Sequence, residues 1–284
     1  MSKTILVTGA AGYIGSHVVP ALAGLGHKVV AVDSRAVEFD PCATSVQADF
    51  EEVEDKVFRL HGLPDVCLHL AWRNGFDHGD PSHIDALAAH LDFLRKMARA
   101  GVKQIAVLGT MHEVGYWEGE IEEKTPTNPQ SLYGIAKNAL RQAAGIELGK
   151  LGVTLQWLRA FYIVGDDRRN KSLFSKIISW EEEGRETFPF NSGKNKYDFI
   201  DVSELAKQIA AAVSQAEIAG VINCCSGKAV SLGEQVETFL RVQGFRIRPD
   251  YGVFADRPYD SPFTWGNTDK IKQILTARRA RVSS

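Results

Sequence analysis

Three glycines spaced three residues apart, Gly9, Gly12 and Gly15, stand between an apolar run and an apolar helical pattern. Residues 3–8 predict a short buried strand, and residues 13–25 predict a helix. In such a unit the first glycine permits a tight turn, the second lets the backbone approach a diphosphate, and the third lets the helix lie close to the strand. The N–H groups at the start of the helix can then bind phosphate. This context favours a dinucleotide-binding turn over a glycine-rich turn without a ligand.

A carboxylate at the end of the next apolar run supports the same interpretation. Residues 28–33 predict a second strand, and Asp33 is its last residue. A carboxylate at this place can accept hydrogen bonds from both hydroxyls of the adenosine ribose, and it repels a 2′-phosphate. Ser34 and Arg35 follow directly, and an arginine there can pair with a 2′-phosphate. We therefore predict that NAD(H) is preferred and that some use of NADP(H) is retained.

The composition is that of an ordinary globular chain. It has 284 residues, 44% hydrophobic and 24% charged, with a formal net charge of −2. This balance gives no reason to expect a nucleic acid or an acidic membrane as partner. The apolar runs are too short to span a membrane, and no signal peptide is expected because a strand follows Met1 almost at once. The four cysteines have no metal or redox spacing, so we expect a cytoplasmic protein in a reducing compartment.

Strand-like and helical patterns alternate through the first 160 residues. Predicted strands lie at 3–8, 28–33, 44–48, 65–71, 103–109 and 153–159, and predicted helices at 13–25, 52–61, 82–100 and 131–149. This alternation predicts an α/β fold of the Rossmann type, with a doubly wound parallel sheet.

The regular alternation ends near Gly165. Shorter helices are predicted near 172–183, 203–214, 231–243 and 267–276. We therefore predict an NAD(P)-binding domain at 1–165 that carries the catalytic residues. The remainder, 166–284, is expected to form mainly a smaller substrate-binding lobe, with 197–230 returning to the sheet.

Tyr133 and Lys137 are spaced four residues apart at the start of an apolar helical pattern, and therefore share one face. A lysine ammonium and an oxidised nicotinamide nearby would favour the phenolate and lower the tyrosine pKa. Tyr133 could then move a proton to or from a sugar oxygen while hydride moves at the same carbon. Thr110 follows an apolar strand directly, at the edge where ligands bind, and could position the reacting oxygen. By itself, the tyrosine–lysine spacing is also typical of the start of a surface helix. Thr110 by itself is also typical of an ordinary helix cap or turn.

Together these features resemble the extended short-chain dehydrogenase/reductase family of nucleotide-sugar epimerases, dehydratases and ketoreductases. The resemblance covers nearly the whole chain. Besides the glycines, Asp33, Thr110, Tyr133 and Lys137, it includes Asp49-Phe50, His69-Leu70-Ala71, Leu158-Arg159, Tyr197 to Val202, Asp256-Arg257-Pro258 and Asn267 to Lys270.

The resemblance implies roles for further residues. Asp49 would contact the adenine, Leu70 and Ala71 would line the diphosphate and ribose, and Lys137 would also bind the nicotinamide ribose. Arg257 would hold the diphosphate of the nucleotide sugar, which a guanidinium suits. The predicted cofactor-binding residues are Gly9, Gly12, Tyr13, Ile14, Gly15, Asp33, Ser34, Arg35, Asp49, Phe50, Leu70, Ala71, Trp72, Tyr133, Lys137 and Tyr162. The predicted substrate-binding residues are Arg73, Thr110, Met111, His112, Tyr133 and Arg257.

Departures from the family pattern narrow the reaction. The 4,6-dehydratases carry Asp-Glu directly after the catalytic threonine, where this chain has Met111 and His112, and the carboxylate of Glu113 comes one position later. Because methionine cannot transfer a proton, we predict that dehydration is not the reaction. Tyr162 stands where epimerases commonly have an asparagine that contacts the diphosphate, which suggests a reshaped pocket.

Two unusual segments leave alternatives open. Trp72 and Arg73 stand where small residues are frequent; they either contribute to the substrate site or act as a core residue and a surface ion pair. The run 77–83 contains histidines and aspartates, yet no distant ligand cluster matches it. It favours a polar loop with a helix N-cap near Asp80 or Ser82 over a metal site.

Residues 109–117 and 133–140 look most like bacterial 4-ketoreductases of dTDP-linked 6-deoxyhexoses, of the 6-deoxy-L-talose type. This resemblance implies hydride transfer to C4 of a dTDP-4-keto-6-deoxyhexose. The alternatives are a nucleotide-sugar 4-epimerase with bound NAD, of the UDP-glucose/galactose type, and a non-catalytic NAD(P)-sensing protein. Family members pair helices equivalent to 82–100 and 131–149 between subunits, which implies a homodimer.

Overall fold

The computed structural model describes residues 2–36, 38–39, 41–165, 168, 170, 172–256 and 260–282. The strands are β1 (Thr4–Thr8), β2 (Lys28–Asp33), β3 (Thr44–Gln47), β4 (Val66–His69), β5 (Gln104–Thr110), β6 (Gly119–Ile121), β7 (Thr154–Ala160), β8 (Tyr162–Val164), β9 (Thr187–Pro189), β10 (Lys196–Asp201), β11 (Gly220–Cys224), β12 (Ala229–Ser231), β13 (Arg248–Asp250) and β14 (Thr264–Gly266). The helices are α1 (Gly15–Ala23), α2 (Arg59–His61), α3 (Ser82–Asp85), α4 (Leu87–Ala100), α5 (Leu132–Lys150), α6 (Leu173–Glu182), α7 (Val202–Val213), α8 (Leu232–Gln243) and α9 (Asp269–Val282).

The main sheet has seven parallel strands in the order β11-β7-β5-β4-β1-β2-β3. The order reverses at β1, as in a doubly wound sheet, so the predicted fold class is confirmed. Strand ends that are distant in sequence meet at one edge: Thr8 pairs with Val32 of β2 and with His69 of β4. Thr110, at the end of β5, pairs with Ala160 of β7. The carboxyl edge of the sheet therefore collects the predicted site residues.

Helices cover both faces of this sheet, which explains its unbroken apolar strands. One face packs against α1, α7 and α9 through side chains such as Leu22, Ile209 and Ile274. The other face packs against α4 and α5 through side chains such as Leu94 and Leu140. All five of these side chains are at most 3% exposed.

Two predicted helices differ from the observed ones. Residues 52–61 form a 3-10 turn (Phe50–Glu52), a π-helical turn (Glu54–Phe58) and the short α2 instead of one helix. Only Val53 and Val57 of this segment are buried in the core and Leu60 is 76% exposed, so packing does little to hold a regular helix. The helix predicted at 82–100 is divided at Ala86, where α3 ends and α4 begins.

A smaller set of elements extends beyond the carboxyl edge. It contains a three-stranded sheet (β12-β10-β8), two strand pairs (β13-β9 and β14-β6) and the helices α6 and α8. Its core is rich in aromatic residues, including the buried Phe174, Phe188 and Phe190. Residues after 165 also contribute β11, α7 and α9 to the main sheet and its covering helices.

Within the described ranges, no helix is long and apolar enough to cross a membrane. The same ranges hold no group of three or more histidine, cysteine, aspartate or glutamate side chains that could bind a metal ion.

Candidate active site

The turn between β1 and α1 has the backbone geometry that its glycines suggest. Gly9 has a φ of +71°, and a Cβ there would lie 2.6 Å from the backbone nitrogen of Ala71. A Cβ at Gly15 would lie 2.3 Å from the carbonyl oxygen of Gly9, so larger residues are excluded at both positions. A Cβ at Gly12 would meet only the Gly9 oxygen, at 3.0 Å. The turn is therefore tight on its inner side and open at Gly12.

Asp33 lies beside this turn, at the end of β2, and is 6% exposed. Its carboxylate accepts a hydrogen bond from the backbone N–H of Ala11 at 3.0 Å. It also accepts from the backbone N–H and the Nε of Arg35, both at 3.0 Å. The open turn and the buried carboxylate suit the diphosphate and the ribose diol of a dinucleotide. Arg35 is mostly exposed and can swing away from the carboxylate.

The neighbouring predicted cofactor residues divide between the turn and the interior. The Tyr13 hydroxyl donates to the carbonyl oxygen of Gly165, which connects the turn to the segment after β8. Ile14 is the residue that precedes α1 and packs at the edge of the core. Leu70 is 8% exposed, and the Ala71 N–H faces the Thr8 hydroxyl at 3.5 Å.

Thr110, Tyr133 and Lys137 meet where β5 ends and α5 begins. Ser131 caps α5, because its hydroxyl accepts from the Gly134 N–H at 3.1 Å. The next turn of this helix presents Tyr133 and Lys137 on one face. The Tyr133 and Thr110 side chains are close enough for Thr110 to affect the tyrosine pKa. The Lys137 ammonium donates to the carbonyl oxygen of Leu108 at 2.8 Å and lies 5.9 Å from the centroid of the Tyr133 ring.

Burial dominates the electrostatics of this group. It raises the pKa of Tyr133 above its ordinary value, with Glu113 adding to the effect and the Thr110 side chain opposing it. This direction describes the chain by itself, whereas the expected lowering of the tyrosine pKa concerned the site with an oxidised nicotinamide bound and stays a prediction. Burial lowers the pKa of Lys137 to about 7, against the attraction of Glu113. Tyr133 is thus a protonated phenol at neutral pH, which can donate a proton.

Glu113 is a buried carboxylate behind Thr110, with an exposed fraction of 0%. Its Oε1 accepts from the Thr110 backbone N–H and from Trp157 Nε1, both at 2.7 Å. Its Oε2 lies 3.5 Å from Arg141 Nε and 3.5 Å from Arg159 Nη2. In the sequence, Glu113 was identified only as a carboxylate one position later than that of the dehydratases. The short 3-10 turn Met111–Glu113 points it inward, where it fixes the backbone of Thr110.

Aromatic rings from β4 and its neighbours stack beside Lys137. Phe50 stacks on His90 with centroids 4.7 Å apart, and His90 stacks on Trp72 at 4.3 Å. His69 Nε2 lies 2.8 Å from His90 Nδ1, and burial lowers the pKa of His90 to about 3. In the sequence, His69 was identified only as part of a motif, and His90 was not predicted. The position of His90 on the core-facing side of the helical pattern of α4 was a signal that could have identified it.

A second group of rings faces Tyr133 from the other side. His78 stacks on the Tyr133 ring with centroids 4.9 Å apart, and His112 contacts His78 edge-on at 4.3 Å. His112 is half-buried, and burial lowers its pKa to about 3. Tyr162 lies edge-on to His112 at 5.8 Å. These rings and Tyr133 can form one wall of a sugar pocket, and the sequence analysis missed His78.

Other predicted substrate residues lie apart from this wall. Met111 is 5% exposed and packs in an apolar cluster that includes Val114 and Phe161. Arg73 is on the surface and forms an ion pair with Asp49 at 3.1 Å. A surface ion pair was one of the two interpretations of this residue. Arg257 lies outside the described residues. In the loop 77–83, the Asp80 carboxylate accepts from the Ser82 N–H at 2.8 Å, at the start of α3.

Comparisons with known proteins agree with this geometry. The model of the "NAD dependent epimerase/dehydratase family" matches residues 5–225. A dTDP-6-deoxy-L-talose 4-dehydrogenase (NAD(+)) from Aggregatibacter actinomycetemcomitans is 44% identical over 268 residues, which cover 92% of this chain and 98% of that protein. A UDP-glucose 4-epimerase from Azospirillum brasilense is 28% identical over 305 aligned positions, covering 96% of this chain and 86% of the relative.

Among solved structures, MoeE5 in complex with UDP-glucuronic acid and NAD superposes with a TM-score of 0.79. The match has 26% sequence identity and covers 96% of this chain and 92% of that structure.

Proposed function

The chain belongs to the NAD-dependent epimerase/dehydratase family, and from this premise we propose that it is an NAD-dependent oxidoreductase acting at C4 of a nucleotide-linked 6-deoxyhexose. The relative at 44% identity, a dTDP-6-deoxy-L-talose 4-dehydrogenase, supports a dTDP-4-keto-6-deoxyhexose as the substrate. The observation that carries the proposal is the convergence of Thr110, Tyr133 and Lys137 at the carboxyl edge of the sheet.

The three side chains divide the work of a carbonyl reduction. A bound nicotinamide cofactor supplies the hydride that is added to C4. Tyr133 donates its phenolic proton to the oxygen at C4, which becomes a hydroxyl, and the tyrosine is reprotonated from solvent. Thr110 hydrogen-bonds the same oxygen and holds it against Tyr133. Lys137 stabilises the phenolate that this step leaves. The protonated resting state of Tyr133 suits this direction of the reaction.

The cofactor preference follows from Asp33. Its buried carboxylate would accept hydrogen bonds from the ribose hydroxyls of NAD(H), and the relative at 44% identity, a dehydrogenase that uses NAD(+), supports NAD(H) as the cofactor. Arg35 lies against this carboxylate and is exposed enough to meet a 2′-phosphate, so weaker use of NADP(H) is part of the proposal.

Dehydration is left out of the proposed reactions. Met111 is buried in an apolar cluster and cannot transfer a proton, and Glu113 is buried behind Thr110, where its Oε1 accepts two hydrogen bonds. Of the residues directly after Thr110, His112 is the one whose polar side chain, a half-buried imidazole, faces Tyr133.

A homodimer in the cytoplasm completes the proposal. Exposed apolar side chains on α5, Ile135 at 43% and Ile146 at 62%, provide a surface for a helix-to-helix interface with a second copy. The four cysteines are free thiols, as expected for a reducing compartment.

The direct test is the oxidation of NADH, and in parallel of NADPH, by purified protein mixed with a dTDP-4-keto-6-deoxyhexose. Stoichiometric loss of NADH absorbance supports a 4-ketoreductase, and Tyr133→Phe should slow it by about 10²–10⁴-fold. The opposite result is no oxidation together with NAD released from the denatured protein. That result would contradict the proposal and favour a 4-epimerase, which needs no added nicotinamide.

A further inference from the structure

The indole of Trp72 is held by a stacked ring on one face and by a hydrogen bond at its edge. Its ring is nearly parallel to that of His90, with a centroid separation of 4.3 Å and an interplanar angle of 13°. Its Nε1 donates to His83 Nδ1 at 3.0 Å. His83 Nε2 in turn lies 2.7 Å from the carbonyl oxygen of Asp77, so the imidazole donates there in its neutral form. Stacking and hydrogen bonding together fix both the tilt and the rotation of the indole.

Lys137 places its ammonium over this indole, 3.8 Å from the ring centroid. The side chain is 2% exposed, and its hydrogen bond goes to the neutral carbonyl of Leu108. Within the described ranges, Lys137 has no carboxylate in ion-pair contact. A buried cation without a carboxylate partner is costly, and the negative face of an indole is a group that offsets this cost.

We propose that Trp72 is a positioning residue whose indole face holds the Lys137 ammonium beside Tyr133 and favours its charged form. Trp72 touches Lys137 and acts on the reaction through it. A small residue at this position would leave the ammonium to the Leu108 carbonyl alone. The effect of Trp72 on the reaction rests on the proposed function. Its effect on the Lys137 ammonium rests only on the contacts described above.

The charged and titratable groups around Lys137 determine how this can be measured. Burial lowers the pKa values of His69 and His90, so both are neutral near pH 7 and repel the ammonium little. Tyr133 is protonated, since burial raises its pKa. Glu113 is the acidic group that attracts Lys137. Near neutral pH, Lys137 is therefore the group in this set whose charge changes.

The experiment is a pH titration of the ligand-free protein, with lysine labelled with ¹³C at Cε and the Lys137 signal assigned by its loss in Lys137→Met. Removing a cation–π contact disfavours the ammonium, so Trp72→Leu should lower the pKa of Lys137 by about one pH unit. Leucine keeps the site apolar, which leaves the burial of Lys137 largely unchanged. Trp72→Phe keeps an aromatic face and should retain most of the original pKa.

Trp180→Leu is the matched control. Trp180 is also half-buried and stacked on a ring, that of Phe188 at 5.6 Å, but it lies in the smaller lobe. This substitution should leave the Lys137 titration unchanged. An unchanged or raised Lys137 pKa in Trp72→Leu, or equal effects of the phenylalanine and leucine variants, would overturn the proposal. Trp72→Met, which also lacks an aromatic face, takes the place of the leucine variant if that variant does not fold: a fall of about one pH unit supports the proposal, and an unchanged Lys137 pKa contradicts it.

The catalytic consequence is measured separately. Above the Lys137 midpoint, kcat/KM of Trp72→Leu should fall about tenfold, and the alkaline limb of its pH profile should move to lower pH, as the NMR midpoint does. If the protein does not turn over a dTDP-4-keto-6-deoxyhexose, the proposed function fails while the titration still decides the role of Trp72.

Discussion

Replacing Glu113 by glutamine removes one negative charge from the interior and keeps the size of the side chain. The carboxylate is fully buried and accepts two hydrogen bonds at 2.7 Å, from Thr110 and Trp157. It also faces two guanidinium groups at 3.5 Å, those of Arg141 and Arg159. Arg159 is fully buried as well, and its Nε and Nη2 have no hydrogen-bond partner. Glu113 is the counter-charge that makes this burial tolerable.

The magnitude follows from what Glu113→Gln leaves behind. The amide oxygen can still accept from Thr110 or Trp157, so loss of hydrogen bonds contributes little. The larger effect is an uncompensated guanidinium with an exposed fraction of 0%. Breaking a buried ion pair by removing one partner costs about 3–5 kcal/mol. We therefore expect the free energy of unfolding to fall by about 3 kcal/mol or more.

The assay is urea unfolding at pH 7, followed by circular dichroism. Asp92→Asn is the matched control, because Asp92 is half-exposed and pairs with Lys96 at 3.1 Å. An exposed pair of this kind contributes about 0–1 kcal/mol. If Glu113→Gln costs no more than Asp92→Asn, Glu113 is not the structural counter-charge that its contacts indicate.

Three further predictions concern the site and its surroundings. Tyr133→Phe should lower kcat by about 10²–10⁴ because no other group donates the proton, whereas Tyr251→Phe in the smaller lobe should leave kcat unchanged; steady-state kinetics decides. Asp33→Ala should raise KM for NADH by about 10–100-fold and for NADPH much less, and an equal rise for both cofactors would contradict the assignment. Burial lowers the pKa of His90 to about 3, so between pH 6.5 and 3 the unfolded chain binds more protons and stability falls as pH falls. His90→Gln should reduce this slope by about 1.4 kcal/mol per pH unit, as urea titrations across this range would show.

The features that sequence predicts well are those encoded by local spacing. The glycines of the β1–α1 turn and the four-residue spacing of Tyr133 and Lys137 are local, and the rule that ligands bind at the carboxyl edge of a parallel sheet places Thr110 beside them. The six strands predicted between residues 3 and 159 lie within two residues of their observed ends, whereas the short β6 was not predicted. The local pattern at 52–61, however, predicted one helix and was wrong, because few side chains of this segment reach the core.

The features that sequence does not predict depend on chain segments that meet only in the fold. The stack of Phe50, His90 and Trp72 combines a loop after β3, a helix face and a loop after β4. The structural role of Glu113 was not predicted, because its place in the sequence does not show which way a 3-10 turn directs a side chain. The degree to which burial raises the pKa of Tyr133 likewise depends on the packing around the ring.

The central claim, reduction at C4 with a proton from Tyr133, is tested most directly by isotope transfer. The protein is incubated with a dTDP-4-keto-6-deoxyhexose and NADH carrying deuterium on the transferable face of C4 of the nicotinamide, and the product is examined by NMR. We expect one deuterium at C4 of the sugar for each NADH oxidised, and both label transfer and oxidation slowed by about 10²–10⁴-fold with Tyr133→Phe. A reduced sugar without deuterium at C4, or no oxidation of NADH, would contradict the claim.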